Sequence, residues 1–409
     1  MALSHATSQS AMSPSPPFAN RPSWNPLSCA GTALAPNVLL MAKLIAIALL
    51  LTNHVRLLPD PFLPFIPGLD RLFDPRLFQK TLQTVFVFSA ASLILNRWPR
   101  VSCLLLGGSM LLGVLASRAY YGNNKTFCAL MLILAGLQSR NADHVLLRWQ
   151  VAIVYGGAAL NKLLDADWQS GQFFEHWAGE RLKQPLFLWL NPMLPPLLLG
   201  KLMCWTTVGL ELGASLLLLV RRWNKAGACF SIVLQSGILL FTGSTFTMFF
   251  YAMQAAMLVV LPWPPKPLTV IWDGDCGFCG FCKRWISRFD FDRVLAWWPF
   301  QSGKGREHGI RDQAAMERLQ LVTASGQVLD GFHAVRRMMA YMPAVWITLC
   351  VLIAAAPEPS PTWRRIVVAS TLFFFSPLMN PIGVAAYDWV ARNRYRIFPN
   401  STCALPERE

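Results

Sequence analysis

The residues best suited to chemistry form one short run, Asp273-Gly-Asp-Cys-Gly-Phe-Cys-Gly-Phe-Cys282. Before it, Leu268-Thr-Val-Ile-Trp272 is a β-type stretch of apolar and β-branched residues, and after it Lys283-Arg-Trp-Ile-Ser-Arg-Phe289 continues with helical spacing. A strand that delivers Cys-x-x-Cys to the start of a helix is suited to thiol redox chemistry. The free N–H groups and positive dipole end of the helix stabilise a thiolate on Cys276, and two intervening residues set Cys279 one turn on, where it can resolve a mixed disulfide. Cys276 is therefore the expected nucleophile and Cys279 the resolving thiol, with Asp273 and Asp275 as supporting groups.

Cys282 opens an alternative. Cys276, Cys279 and Cys282 form Cys-x-x-Cys-x-x-Cys, which with Cys403 as a fourth thiolate would suit zinc or an iron–sulfur cluster. Structural zinc sites usually come as two separated pairs, so no metal is assigned and Cys282 and Cys403 are kept as supporting residues. A tight turn of small residues with inert thiols is the remaining alternative. Cys29, Cys103, Cys128, Cys204, Cys229 and Cys350 lie mostly in apolar runs and read as small hydrophobes.

The elements that must position this run are unusual in composition. Over 409 residues the chain is 54% apolar and 14% charged, where an ordinary soluble domain is about 25% charged. That balance points to a membrane protein with lipid as its surroundings. The net charge of +15 then reads as topological, and because Lys and Arg are scattered between apolar runs a nucleic-acid partner is not expected. Residues 1–32 are Ser/Pro-rich, lack a basic segment followed by an apolar one, and read as a flexible tail.

Residues 33–261 read as a transmembrane bundle, with helices expected near 37–57, 78–96, 101–120, 126–139, 144–164, 196–220, 225–242 and 245–261. Between the fifth and sixth, Asp165 to Asn191 mixes aromatic with charged residues and suits a segment at headgroup depth. Pro-rich residues 262–267 break the helical pattern and mark a linker. Within the closing domain, 268–409, the apolar runs 345–356 and 366–378 are each too short to span alone, so an insertion at 345–378 is expected to dip into the membrane as a hairpin or dock as a helix pair.

Two resemblances attach to these residues. Trp272-Asp-Gly-Asp-Cys-Gly-Phe-Cys279 resembles the signature of the DCC family of thiol-disulfide oxidoreductases, and Tyr387-Asp-Trp-Val-Ala-Arg-Asn-Arg-Tyr-Arg396 with Cys403 beyond it resembles that family's closing segment. The likeness covers about 268 to 405 and implies a small thioredoxin-like domain with a working dithiol, while the apolar stretch 345–378 is longer than the family needs. Tyr155 to Leu163, followed by Asp167-Trp168 and Gly171, resembles the HTTM membrane domain shared by the vitamin K-dependent γ-carboxylase. That resemblance, over about 37 to 261, implies a base role for Lys162, although an extra leucine displaces the Asp-Ala-Asp-Trp by one and Lys125 stands where the carboxylase has a catalytic histidine. From the residues alone, Lys162 can equally snorkel and pair with a loop carboxylate, and Glu211, in the middle of an apolar run, should face the bundle interior with Lys162 or Lys201 as partner.

The resulting expectation is a polytopic α-helical membrane bundle of about eight helices followed by a small α/β thioredoxin-like domain. Its activity would be thiol-disulfide exchange on a protein partner, with a quinone or lipid in the bundle as the candidate electron partner. A carboxylase-like or peptide-modifying membrane enzyme, and a non-enzymatic scaffold or soft-metal handling protein, are the alternatives. Short loops dense in Arg and Lys, at Arg97 and Arg100, Arg140 and Arg148, and Arg221 to Lys225, place the dithiol domain on the cytoplasmic face, in the inner membrane of a bacterium.

Overall fold

The structure is a computed structural model that describes residues 24–397 except 57, 60, 61, 67, 69–73, 140–142, 243–246 and 356–360. Among the described residues, eight helices build the bundle: α1 (Pro36–Leu51), α2 (Pro75–Ile94), α3 (Pro99–Ala116), α4 (Asn123–Leu137), α5 (Val145–Leu163), α6 (Leu198–Leu219), α7 (Asn224–Thr242) and α8 (Thr247–Met257). Helix α1 is apolar on every side, and a helix of that kind belongs in a core. It is buried from Asn37 to Leu49, with α2, α4 and α8 packed against it. Its 16 residues rise about 24 Å at roughly 1.5 Å per residue, short of an apolar layer of about 30 Å.

That shortness corrects the expectation of eight spans. Among the described residues four helices, α2, α3, α6 and α7, are long and apolar enough to cross a membrane, while α1, α4 and the α8 segment up to Val260 are shorter apolar helices. Counting two bent helix pairs of the C-terminal region raises the number to six.

The small domain opens with β1 (Leu268–Trp272), α9 (Gly277–Phe289) and β2 (Leu295–Pro299), then runs through α10 (Asp312–Glu317), β3 (Gln320–Val322), β4 (Val328–Asp330) and α11 (Gly331–Ala340). The strands form one mixed sheet in the order β2-β1-β3-β4. β1 and β2 are parallel, as a helical crossover requires, with Val270 opposite Trp297, and β3 is antiparallel to both β1 and β4. Leu268, Val270, Leu295 and Leu321 pack with Ala334 and Met338 of α11 as its core.

Two apolar helices, α12 (Pro343–Ala354) and α13 (Pro361–Phe375), then leave the sheet before α14 (Asn380–Ile397) returns to it. The pair docks along the bundle. Cys350 Sγ lies 3.7 Å from the Leu44 carbonyl, Tyr251 donates to the Ile353 carbonyl at 3.1 Å, and Arg365 donates to the Phe241 carbonyl at 3.3 Å.

A second attachment involves the segment read as tail. Residues 1–23 lie outside the described residues, but Ser28 and Cys29 are buried. Asp292, in the turn between α9 and β2, accepts hydrogen bonds from the Ser28 hydroxyl at 2.6 Å, the Cys29 N–H at 2.9 Å and the Ala30 N–H at 3.2 Å. Lys43 of α1 is fully buried and donates to the Pro26 and Ser28 carbonyls at 2.9 and 2.7 Å. A buried ammonium must be met by acceptors, and here the N-terminal segment supplies them while offering its own N–H groups to Asp292.

Candidate active site

Strand β1 ends at Trp272 and α9 begins at Gly277, so the intervening turn sets Cys276 at the helix cap. Cys276 is buried, and its Sγ accepts the Cys279 N–H at 3.3 Å. The thiol takes the place an N-cap oxygen usually fills, facing the free N–H groups of the first turn. The Cys279 thiol, its N–H and the Arg394 charge together pull the Cys276 thiol down to about 6, against burial and Asp273, which push it up. Cys279 moves the other way, because of its interaction with Cys276 and its own partial burial. One sulfur is therefore held as a thiolate and its neighbour as a thiol.

Cys282 lies one further turn along α9, half-buried, and burial followed by the charge on Cys276 raises its pKa. Cys403 lies outside the described residues, and among those described no group of three or more His, Cys, Asp or Glu side chains converges as a metal site would require.

Asp273 is buried beneath the turn with four neighbours. Oδ2 accepts from the Tyr395 hydroxyl at 2.7 Å and from Arg394 Nη2 at 3.4 Å, and Oδ1 accepts from the Asp275 N–H at 3.2 Å and Gln301 Nε2 at 3.5 Å. Gln301 also donates to Asp275 Oδ2 at 2.9 Å and accepts the Gly274 N–H at 3.2 Å. This packing explains the glycine: a Cβ at Gly274 would sit 2.8 Å from Gln301 Oε1 and 2.9 Å from Pro299. Arg394 is held in turn by the Glu317 carbonyl at 3.3 Å, the Met316 carbonyl and the Tyr395 hydroxyl. Helix α14 is fixed beside the sheet by Tyr387, whose hydroxyl accepts the Leu319 N–H at 3.0 Å, and by the Arg318–Asp388 ion pair at 2.9 Å.

Arg394, Tyr395 and Gln301 were not singled out in the sequence. Arg394 and Tyr395 lie inside the closing segment quoted for its resemblance, and Tyr387 and Arg394, seven residues apart, fall on one helical face. Gln301 carries no comparable signal.

The remaining candidates stand apart from the dithiol. Lys162, at the far end of α5, donates to both oxygens of Glu211 at 2.7 and 2.8 Å, and its ammonium lies 5.0 Å from the centre of the Trp168 ring. Glu211 thus takes Lys162 and not Lys201 as its partner. Asp165, one of the loop carboxylates near Lys162 in the sequence, caps the short helix Ala166–Ser170 by accepting from the Asp167 and Trp168 N–H groups. Lys125 donates to the Tyr120 carbonyl at 2.6 Å and lies over that residue's ring.

The comparisons with known proteins bear on the small domain. No curated protein and no solved structure matches the chain. The resemblance of the bundle to an HTTM domain finds no support in them. Residues 270–368, from the middle of β1 into α13, match the family model of the DCC1-like thiol-disulfide oxidoreductases.

Proposed function

We propose that this chain is a membrane-embedded thiol-disulfide oxidoreductase whose substrates are protein thiols or disulfides. The reading rests on one observation above all: a buried Cys276 sulfur at the N-cap of α9, drawn to about 6, with Cys279 beside it as a protonated thiol. The sheet order β2-β1-β3-β4 and its helices agree with the thioredoxin-like architecture expected for such a domain.

In the reductive direction the Cys276 thiolate attacks one sulfur of a substrate disulfide. A bond forms between Cys276 and that sulfur as the substrate S–S bond breaks, and the second substrate sulfur leaves as a thiolate that takes a proton. Cys279 then gives up its proton and attacks Cys276 Sγ, which closes the Cys276–Cys279 disulfide and releases the first substrate sulfur reduced. Two electrons pass from dithiol to disulfide, and the reverse sequence oxidises a substrate dithiol. Arg394 and Asp273 set the field at Cys276, and Tyr395, bonded to both, holds the pair in place.

In this reading the bundle anchors the domain, with α2, α3, α6 and α7 as spans. Lys162, paired by both Glu211 oxygens, is a compensated charge and not a free base, so carboxylase-like chemistry is not assigned. The test is trapping: Cys279→Ser in the full chain should accumulate a mixed disulfide through Cys276, resolved on a non-reducing gel and identified by mass spectrometry. Absence of any adduct from Cys279→Ser, with Cys276→Ser as active as wild type in disulfide reduction, would refute the reading.

A further inference from the structure

Helix α9 carries an exposed aromatic edge behind its sulfur-bearing start. Trp285 and Phe289, four residues apart, stack at 6.4 Å, and Phe281 meets Trp285 edge-on at 6.1 Å. Trp285 is 46% and Phe289 49% exposed, and Phe291 in the following turn is also exposed. Among them Arg284, Arg288 and Arg293 are exposed, with the Arg288 guanidinium 5.4 Å from the Trp285 ring, while Asp290 and Asp292 are buried and bonded inward. The charge that this edge shows to its surroundings is therefore positive.

Hydrogen bonds place the edge at one end of the bundle. Asp292 holds residues 28–30, and Ser28 accepts from Asn96 in the α2–α3 turn at 3.0 Å. Arg100, at the start of α3, reaches the Gly136 carbonyl at the end of α4 at 3.1 Å, and Asp143 before α5 pairs with Arg221 in the α6–α7 turn at 3.4 Å. This end also exposes Trp24, Trp98, Trp149 and Trp223, and arginines attend two of them: Arg97 lies 3.2 Å over Trp24 and Arg222 lies 5.8 Å from Trp223. Exposed tryptophans beside arginines at the ends of apolar helices are the signature of a membrane–water boundary.

We infer that α9 lies in that boundary, its Trp285–Phe289 edge dipped among the headgroups of an anionic leaflet and its arginines paired with lipid phosphate. Aromatic side chains favour headgroup depth, and each basic side chain near an anionic surface adds attraction. The dithiol domain is then fixed to the bilayer as well as to the bundle, and the substrates it can reach are those whose thiol or disulfide comes to the membrane surface. The inference rests on the membrane reading above and adds to it where the redox helix sits.

The test uses the full chain in nanodiscs of phosphatidylcholine and phosphatidylglycerol, made with plain or brominated acyl chains, beside Trp285→Phe in the same discs. Subtracting the variant's emission isolates the Trp285 signal. That signal should be lost in brominated discs, and should return when phosphatidylglycerol is left out or in Arg284→Glu/Arg288→Glu. Equal Trp285 signals in plain and brominated discs would overturn the inference, whether water or another protein covers the edge. So would quenching that ignores both lipid charge and the Arg reversals. Alkylation of Cys276 measured on the same samples reports the dithiol separately, so a failed redox reading and a failed lipid contact are told apart.

Discussion

Asp273 with Arg394 in the small domain, and Glu211 with Lys162 in the bundle, are both carboxylate–cation pairs drawn away from water, and their surroundings differ in kind. Asp273 is met by four groups from three parts of the chain, and the pair it forms with Arg394 at 3.4 Å acts electrically on Cys276. Glu211 takes both of its bonds from one ammonium, and the pair closes on itself. A buried pair belongs to a reactive site when a third, reacting group sits in its field. Where none does, it mainly offsets the burial of its own two members.

The largest effects should come from the sulfurs. Cys276→Ser should abolish disulfide exchange, since no other described thiol stands at the helix cap, and Cys279→Ser should stop the cycle at the mixed disulfide; insulin reduction reads the first and intact mass the second. In contrast, replacing the bundle pair as a unit, Lys162→Met with Glu211→Met, should leave the exchange rate of folded protein unchanged. A rate that fell with the double variant would join the two regions functionally and break the comparison.

The single bundle variants sharpen it. Glu211→Ala strands the Lys162 ammonium, and removing one member of a buried pair costs about 3 to 5 kcal/mol. Thermal unfolding in detergent should drop sharply for Glu211→Ala and for Lys162→Ala, and the double Met variant should recover most of the loss. A local loss is expected at the attachment point: Asp292→Ala leaves the Ser28 hydroxyl and the Cys29 and Ala30 N–H groups without their acceptor, and a group left unmet costs about 1 to 3 kcal/mol unless water replaces the carboxylate. Limited proteolysis between the bundle and β1 should then accelerate. Unchanged cleavage would mean that α12 and α13 hold the domain alone.

What was legible in the sequence follows from range. The strand, turn and dithiol helix of 268–289 are one continuous run whose apolar alternation, glycines and cysteines all point the same way, and in the structure the Cys276 sulfur accepts the Cys279 N–H at 3.3 Å at the start of that helix. The eight bundle helices were readable from apolar runs, but their number as spans was not. Hydropathy does not show that α1 ends at Leu51 with Lys43 turned onto the Pro26 and Ser28 carbonyls. Contacts across long separations were least visible. Asp292 meets Ser28 across 264 residues, and Tyr395 meets Asp273 across 122; neither pairing leaves a local pattern, since nothing in either stretch of chain names its distant partner.

The finest test of the comparison is the pH at which Cys276 becomes reactive. Its thiol is held at about 6 where an ordinary one lies at 9.0, so the alkylation rate should climb with a midpoint near the lower value and level off by neutral pH. The same depression makes the folded, reduced protein more stable as pH rises; the gain is complete above about 9.0 and lost as pH falls through about 6. Of the causes, the Cys279 contact is the largest, so Cys279→Ala should move the midpoint up further than any charge variant. Arg394 lowers the thiol and Asp273 raises it, so Arg394→Gln should shift the midpoint up and Asp273→Asn should shift it down. Opposite signs from two residues in contact would show that the pair acts on the sulfur through its field. Shifts of the same sign would mean that both variants merely loosen the turn, and the small-domain pair would then be no more than the structural counterpart of Lys162 and Glu211.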